Sequence, residues 1–341
     1  MYPPDGLCHY LYYTHVYIRE KESAFHVMAR GILASFTVFK DKVKEYSKTE
    51  GGLSFDIKAV NRTGVRQAQS ELKNLEQDRI LHYGTLNVIN EPDKLRGLVT
   101  RAVGMAKALK EHQQNDPRRR TVVAISAIDY GTDDKWNTLK NAVKQAADAN
   151  SGIDTVIVIS SFSSWLGEMT DCKSVPPGVI NGDKAFPSLA QNMELVDEAS
   201  ETIYGNKNVV AGLFLEMGAM MYTYASAQSD PLATYAYKEC KTATLMPLDM
   251  GCESSTREKI ADVNTAFATG TTEVVLLFDD SATLKEKIEF VLGNKLRRRF
   301  AWLYFDVHMA DFREVCGSKD PFQLIQTLRS DFNINDDPEN T

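Results

Sequence analysis

Short apolar runs rich in β-branched residues alternate with longer segments of helical spacing along most of the chain. In the helical segments, apolar residues recur every three or four positions, as Phe36, Phe39, Val43 and Tyr46 do. Strands that alternate with helices predict β-α units on a parallel sheet. The predicted strands are residues 9–18, 53–60, 85–89, 121–127, 154–160, 209–215 and 301–307.

These seven strands fit either an open doubly wound sheet or a β/α barrel that lacks one of its eight strands. An open nucleotide-binding sheet carries a glycine-rich phosphate loop, and neither G-x-G-x-x-G nor G-x-x-x-x-G-K-S/T occurs in the sequence. We therefore predict the barrel, whose functional residues gather at the carboxyl ends of its strands. The alternation breaks between Met217 and Ser281, which predicts three parts: a barrel over residues 1–216, an insertion over 217–281, and a closing helix-strand-helix over 282–341.

Composition indicates a globular protein and excludes several partners. Hydrophobic residues make up 43% and charged residues 25% of the 341 residues. The net charge of −7 disfavours a nucleic-acid partner. No apolar stretch reaches the roughly 18 to 20 residues of a membrane span, so we predict no membrane partner. The five cysteines form no C-x-x-C pair, and no motif predicts a metal or a cofactor.

Segments at both ends of the chain carry a resemblance to a known family. Residues 300–312, FAWLYFDVHMADF, are followed by Cys316-Gly317, and Phe278-Asp279-Asp280 precedes the helical pattern before them. Together with residues 7–13, 93–109 and 121–126, these segments resemble, in order and spacing, glycoside hydrolase family 18, the chitinases and chitinase-like lectins. The resemblance covers most of the chain and implies a TIM-type (β/α)8 barrel with a small α+β insertion before the last strand. It also implies a protein secreted from the cell.

The family's first strand has no counterpart in the sequence. We interpret the chain as truncated at its N-terminus, which would leave the barrel incomplete and would account for the absence of a signal peptide. The triplet Asn61-Arg62-Thr63 is a glycosylation sequon, which predicts a glycan at Asn61 if the chain enters a secretory compartment.

Two cysteines occupy positions where the family has a disulfide. The resemblance implies a bridge between Cys240 and Cys316, which would tie the insertion to the end of the last strand. Cys172 and Cys252 could form a further bridge, and Cys8 would lack its family partner. Sequence alone does not fix this connectivity.

The family's catalytic motif, D-x-x-D-x-D-x-E, is degenerate in this chain. Aligned on Glu91, its three aspartates fall at Gly84, Asn87 and Ile89. In the family the glutamate protonates the glycosidic oxygen, and the aspartate two residues before it holds the acetamido group of the substrate as internal nucleophile. An isoleucine cannot accept that hydrogen bond, and losing such an electrostatic partner typically costs about 2.7 to 4 kcal/mol in the transition state. Residues 90–93, Asn-Glu-Pro-Asp, also suit an ordinary helix start.

Two further family positions have changed. The family's M-x-Y-D falls on residues 157–160, which end in Ser160, and its floor tryptophan falls on Phe305, which keeps an apolar face for a sugar. The candidate ligand-binding residues near strand ends are Trp165, Phe305, Asp306, Asp129 and Tyr130.

These losses predict a chitinase-like protein that is catalytically inactive and binds chitin or glycans that contain N-acetylglucosamine. Two alternatives remain at this point. The chain could be an active glycosidase that cleaves chitin-type β-1,4 linkages with Glu91 as proton donor, or a vestigial barrel that serves protein interaction.

Overall fold

The computed structural model of the chain describes residues 2–18, 25–27, 33–127, 133–159, 172–178, 180, 203, 209–224, 236, 238–253, 258–260, 265–271, 273–293 and 300–331. The strands are β1 (Tyr10–Ile18), β2 (Phe25–Val27), β3 (Glu50–Phe55), β4 (Ile80–Asn90), β5 (Thr121–Ala127), β6 (Thr155–Val158), β7 (Val210–Glu216), β8 (Ala219–Thr223), β9 (Thr242–Met246), β10 (Glu258–Ile260), β11 (Thr265–Thr271), β12 (Val274–Phe278) and β13 (Phe300–Phe305). The helices are α1 (Leu33–Glu45), α2 (Arg62–Gln67), α3 (Gln69–Gln77), α4 (Pro92–His112), α5 (Asp133–Ala146), α6 (Leu248–Cys252), α7 (Ser281–Gly293) and α8 (Gln323–Asp331).

A curved sheet forms the main body of the fold. Its strand order is β13-β7-β6-β5-β4-β3-β1-β2, and every neighbouring pair is parallel except the short antiparallel pair β1-β2. All seven residues of β5 are buried, as expected for a parallel strand that is covered on both faces. The prediction of a parallel β/α architecture is confirmed.

Local sequence explains the longest helix. Pro92 stands in the first turn of α4, where its fixed φ and missing N–H are tolerated. From there, Leu95, Val99 and Ala102 place one apolar stripe against the sheet, while Arg96 and Thr100 stay exposed. The sheet and this helix layer share one large core.

In the described part of the chain the barrel is not closed, in agreement with the predicted incomplete barrel. Among the described residues, β13 pairs only with β7, and β1 pairs with β3 and, over its last three residues, with β2. The strands β1 and β13 therefore face each other across an open seam, where the ring of His15 lies 6.3 Å from that of Phe305.

A second sheet lies between the last two barrel strands of the chain. It has five antiparallel strands in the order β10-β11-β12-β8-β9, and it runs from Ala219 to Phe278, within the predicted insertion region. In α7, which follows this sheet in the chain, Lys287 is fully buried. Its Nζ lies 2.5 Å from Asp279 Oδ1 and donates to the carbonyl of Pro177 at 2.8 Å.

The predicted bridge between Cys240 and Cys316 is wrong. Cys240 pairs with Cys172, and Cys316 pairs with Cys252, while Cys8 is a free thiol. The α6 helix carries Cys252 to the turn after β13, where it meets Cys316. The Cys172–Cys240 bridge ties the connection between β6 and β7 to the insertion. The Cα atoms are 5.0 Å and 4.9 Å apart, within the range for disulfides.

One strand boundary differs from the prediction in a way that matters for the site. The predicted strand over residues 53–60 ends at Phe55. The Oδ1 atom of Asp56 accepts the N–H of Lys58 at 2.9 Å, and its carbonyl accepts the N–H of Val60 at 2.9 Å. Asp56 therefore begins a turn rather than continuing the strand.

Candidate functional site

Strand register shows which side chains line the barrel interior. Tyr13 packs its ring against Phe36 and Phe39 of α1, so its side of the sheet faces the helices. Residues of the opposite side therefore point into the barrel. Toward the carboxyl ends of the strands, this inward set comprises His15, Ser54, Asp56, Asn87, Ile89, Ser126, Phe214, Glu216 and Phe305.

A buried polar network joins β1, β3 and β4 at this end. His15 Nδ1 lies 2.9 Å from the hydroxyl oxygen of Ser54, which also accepts the N–H of Leu86 at 2.9 Å. Burial lowers the pKa of His15 to about 4, against a smaller opposing effect of the nearby Asp56 carboxylate. His15 is therefore neutral at pH 7 and acts as a fixed polar group rather than as a charge.

Asn87 connects β4 to the turn after β3. Its Nδ2 donates to Asp56 Oδ1 at 3.1 Å, and its Oδ1 accepts the N–H of Ile57 at 3.2 Å. The register of β4 against β5 shifts between Thr85 and Val88. Because of this irregularity, Asn87 and Ile89 lie on the same inward side as Gly84, although Gly84 precedes Asn87 by three residues.

The opposite wall of the mouth is mostly apolar. The ring of Phe305 lies 5.1 Å from that of Phe214, and both are inward-facing. Glu216 pairs in register with Phe305 and is buried. Asp306, the next residue, adopts a left-handed conformation, and burial raises the pKa of its carboxyl while the neighbouring His308 opposes that rise.

Comparisons with known proteins identify the fold. No family profile and no curated protein matches the sequence. The structure, however, is similar to the Group IV chitinase of Ostrinia furnacalis, with a TM-score of 0.67, 14% identity, and coverage of 96% of this chain and 92% of that one. It is similar to human YKL-39, described as a pseudo-chitinase with retained chitooligosaccharide binding properties, with a TM-score of 0.66, 14% identity, and the same coverage. It is also similar to a glycoside hydrolase family 18 N-acetylglucosaminidase from Paenibacillus barengoltzii, with a TM-score of 0.63, 10% identity, and coverage of 94% and 93%.

The chain has the glycoside hydrolase family 18 fold. The sequence resemblance is thereby confirmed at the level of architecture.

Glu91, the predicted proton donor, lies at the surface. Glu91 follows β4 and serves as the residue before the first turn of α4, with its side chain 60% exposed. Its carboxylate lies 2.7 Å from Lys94 Nζ, one helical turn along. No other acidic side chain contacts Glu91 among the described residues. Its surroundings are those of a helix-start carboxylate with a surface ion pair.

The remaining motif positions hold no carboxylate. Ile89 is 3% exposed and packs in the main core. At Gly84, a Cβ atom would lie 2.2 Å from the carbonyl oxygen of Val122, so no side chain fits there without a shift of β4 or β5. The three residues that the sequence analysis aligned with the family's aspartates are thus a glycine, an amide and an alkyl side chain.

Several predicted residues cannot be placed. The residues Trp165, Asp129, Tyr130 and Ser160 lie outside the described residues.

Asn61 is exposed and caps α2, with its Oδ1 accepting the N–H of Gly64 at 3.0 Å. Within the described part of the chain, no cluster of His, Cys, Asp and Glu could hold a metal ion, and no helix is long and apolar enough to span a membrane.

The sequence analysis missed three mouth residues, His15, Ser54 and Asp56. His15 lay within a run of aromatic residues, and Asp56 lay inside a predicted strand. An aspartate side chain often accepts the backbone N–H two residues further on and so begins a turn. An aspartate after a run of strand-forming residues is therefore a turn signal, and it could have placed Asp56 at the carboxyl end of the strand.

Proposed function

We propose that the chain is a secreted chitinase-like protein that binds chitin or N-acetylglucosamine oligosaccharides at the barrel mouth and lacks efficient hydrolase activity. The position of Glu91 carries this proposal. A general acid must reach the glycosidic oxygen within hydrogen-bond distance, inside a site that surrounds the substrate. Glu91 is instead a solvated surface carboxylate, 60% exposed and paired with Lys94.

The neighbouring residues support the same conclusion. Without a carboxylate at Ile89, the acetamido group of a bound sugar has no acceptor two residues before the acid. The oxazolinium-like intermediate of this chemistry would face alkyl surface, without an anion to stabilise it.

Binding requires less than catalysis. An apolar ring face and a few fixed polar groups suffice to orient a sugar. Phe305, backed by the buried ring of Phe214, offers a ring face. His15, Asp56 and Asn87 offer the polar groups, and the buried Ser54 holds His15 in place. YKL-39, a protein of the same fold, is described as a pseudo-chitinase that retains chitooligosaccharide binding, which sets a precedent for this combination.

Secretion is part of the proposal. The two disulfides, Cys172–Cys240 and Cys252–Cys316, favour an oxidising compartment. The exposed sequon at Asn61 fits the same compartment.

Calorimetric titration with N-acetylchitotetraose tests the binding function, with cellotetraose as the ligand that lacks acetamido groups. We expect saturable binding of the chitin oligomer and at least tenfold weaker binding of the cellulose oligomer. Equal binding of both, or of neither, would overturn the glycan assignment. Absence of binding together with retention of a protein partner would favour the vestigial barrel.

A further inference from the structure

Asp56 is a nearly buried carboxylate with only one oxygen satisfied. The residue is 4% exposed. Its Oδ1 atom accepts two hydrogen bonds, from the N–H of Lys58 at 2.9 Å and from Asn87 Nδ2 at 3.1 Å. Among the described residues, no donor reaches Oδ2.

No cation neutralises this carboxylate within the described part of the chain. Arg101 lies nearby, but its guanidinium donates at 3.1 Å to the carbonyls of Ile57 and Lys58 instead. His15 stays neutral at pH 7 because burial holds its pKa near 4. A buried anion is stable only when hydrogen bonds compensate for its lost hydration, so Oδ2 requires a donor from solvent or from a ligand.

The position of Asp56 directs this free acceptor into the mouth. Phe55, the last residue of β3, points to the helix side, where its ring lies 6.3 Å from that of Tyr83. Asp56, which follows it, is hydrogen-bonded to Asn87 on the inward side of β4. Asn87, which holds Asp56, precedes Ile89 by two residues on β4. The carboxylate of Asp56 is thus held by a residue that lies on the same side of β4 as Ile89, where the predicted motif has lost its own acceptor.

We infer that Asp56, positioned by Asn87, accepts a hydrogen bond from an O–H or N–H group of the bound sugar and is a specificity-determining residue of the mouth. This inference rests on the proposed glycan-binding function. Hydrogen bonds to a charged acceptor in a desolvated site are about twice as strong as neutral ones. Asp56 should therefore contribute a large share of the affinity, although it lies on β3 rather than on the motif strand.

The Asp56→Asn variant tests the inference. Both N–H groups that bind Oδ1 require an acceptor, so the new amide must orient its NH2 group where Oδ2 stood. The variant then presents a donor in place of an acceptor. We expect its affinity for N-acetylchitotetraose, measured by calorimetric titration, to fall by about tenfold to a hundredfold.

Asp116→Asn is the matched control. Asp116 Oδ1 also accepts the N–H of the second residue after it, at 3.0 Å from Arg118, but it lies before β5, at the opposite end of the barrel. This variant should bind as the wild type does. Asn87→Ala serves if Asp56→Asn does not fold cooperatively, because it leaves the carboxylate but releases its position, and it should weaken binding by about threefold to tenfold.

The outcomes separate the two claims. If the wild type binds and a folded Asp56→Asn variant, or the Asn87→Ala variant used in its place, binds equally well, the role of Asp56 is wrong and the glycan-binding function stands. Should the wild type bind no chitin oligomer, both claims fall. A similar loss in Asp116→Asn would also refute the role of Asp56, because the effect would then come from charge alone.

Discussion

Gly84, at the first aspartate position of the degenerate motif, should tolerate no side chain. A Cβ atom at this residue would lie 2.2 Å from the carbonyl oxygen of Val122 and 3.1 Å from its carbonyl carbon. Both are backbone atoms of the central strand β5, which is buried throughout, so neither can rotate away. Such overpacking typically costs about 1 to 3 kcal/mol and sometimes more.

The expected change in melting temperature follows from chain length. Unfolding entropy of about 2.1 cal/mol/K per residue gives about 0.7 kcal/mol/K for 341 residues. Gly84→Ala should therefore lower the melting temperature by about 1.5 to 4 °C. Differential scanning calorimetry of the purified chain measures this change.

Gly97→Ala provides the control with the opposite sign. Gly97 is an exposed residue inside α4, and a Cβ there would meet nothing within 4 Å. Alanine is favoured over glycine in a helix by about 1 kcal/mol, so this variant should melt about 1 °C higher. A Gly84→Ala variant as stable as the wild type would refute the packing argument and would reopen position 84 to an acidic side chain.

The remaining predictions concern a buried ion pair and a buried histidine. The variant Lys287→Met removes the cation of the Lys287–Asp279 pair and should lower the free energy of unfolding by about 3 to 5 kcal/mol, because it leaves a buried carboxylate unpaired. The double variant with Asp279→Asn should regain part of that stability, measured in the same calorimetric assay. His15 has a folded-state pKa of about 4, below its unfolded value of 6.5, so the unfolded chain binds more protons between these values. The free energy of unfolding should therefore fall as the pH drops from about 6.5 to 4, by about 3 kcal/mol at most. Denaturant titrations across that range should show a smaller fall for His15→Gln than for the wild type. Equal falls in the two proteins would show that the histidine titrates normally.

Much of the fold could be predicted from the sequence because local pattern and environment agree. The strand over residues 121–127 is a continuous apolar run, and β5 has these same bounds. Apolar residues also recur at helical spacing from Leu95 to Leu109, and α4 covers this stretch with three further residues at each end, from Pro92 to His112. The break in alternation between Met217 and Ser281 indicated the insertion, and the family resemblance supported the barrel over the open sheet.

The candidate site was harder to predict because it depends on register. The shifts between Tyr13 and Val16 in β1 and between Thr85 and Val88 in β4 change which side chains face inward, and strict alternation does not anticipate them. Disulfide pairing depends on distances between segments far apart in sequence, so the position of Cys240 in a family pattern did not reveal that Cys172 is its partner.

The rate of hydrolysis of a chromogenic chitotriose derivative by the wild type and by Glu91→Gln tests the central claim most directly. Glu91 is exposed and paired with Lys94, and Ile89 replaces the acidic partner, so we expect both proteins to release chromophore at the background rate. A wild-type rate well above background that disappears in Glu91→Gln would contradict the account and would establish an active glycosidase with Glu91 as its proton donor.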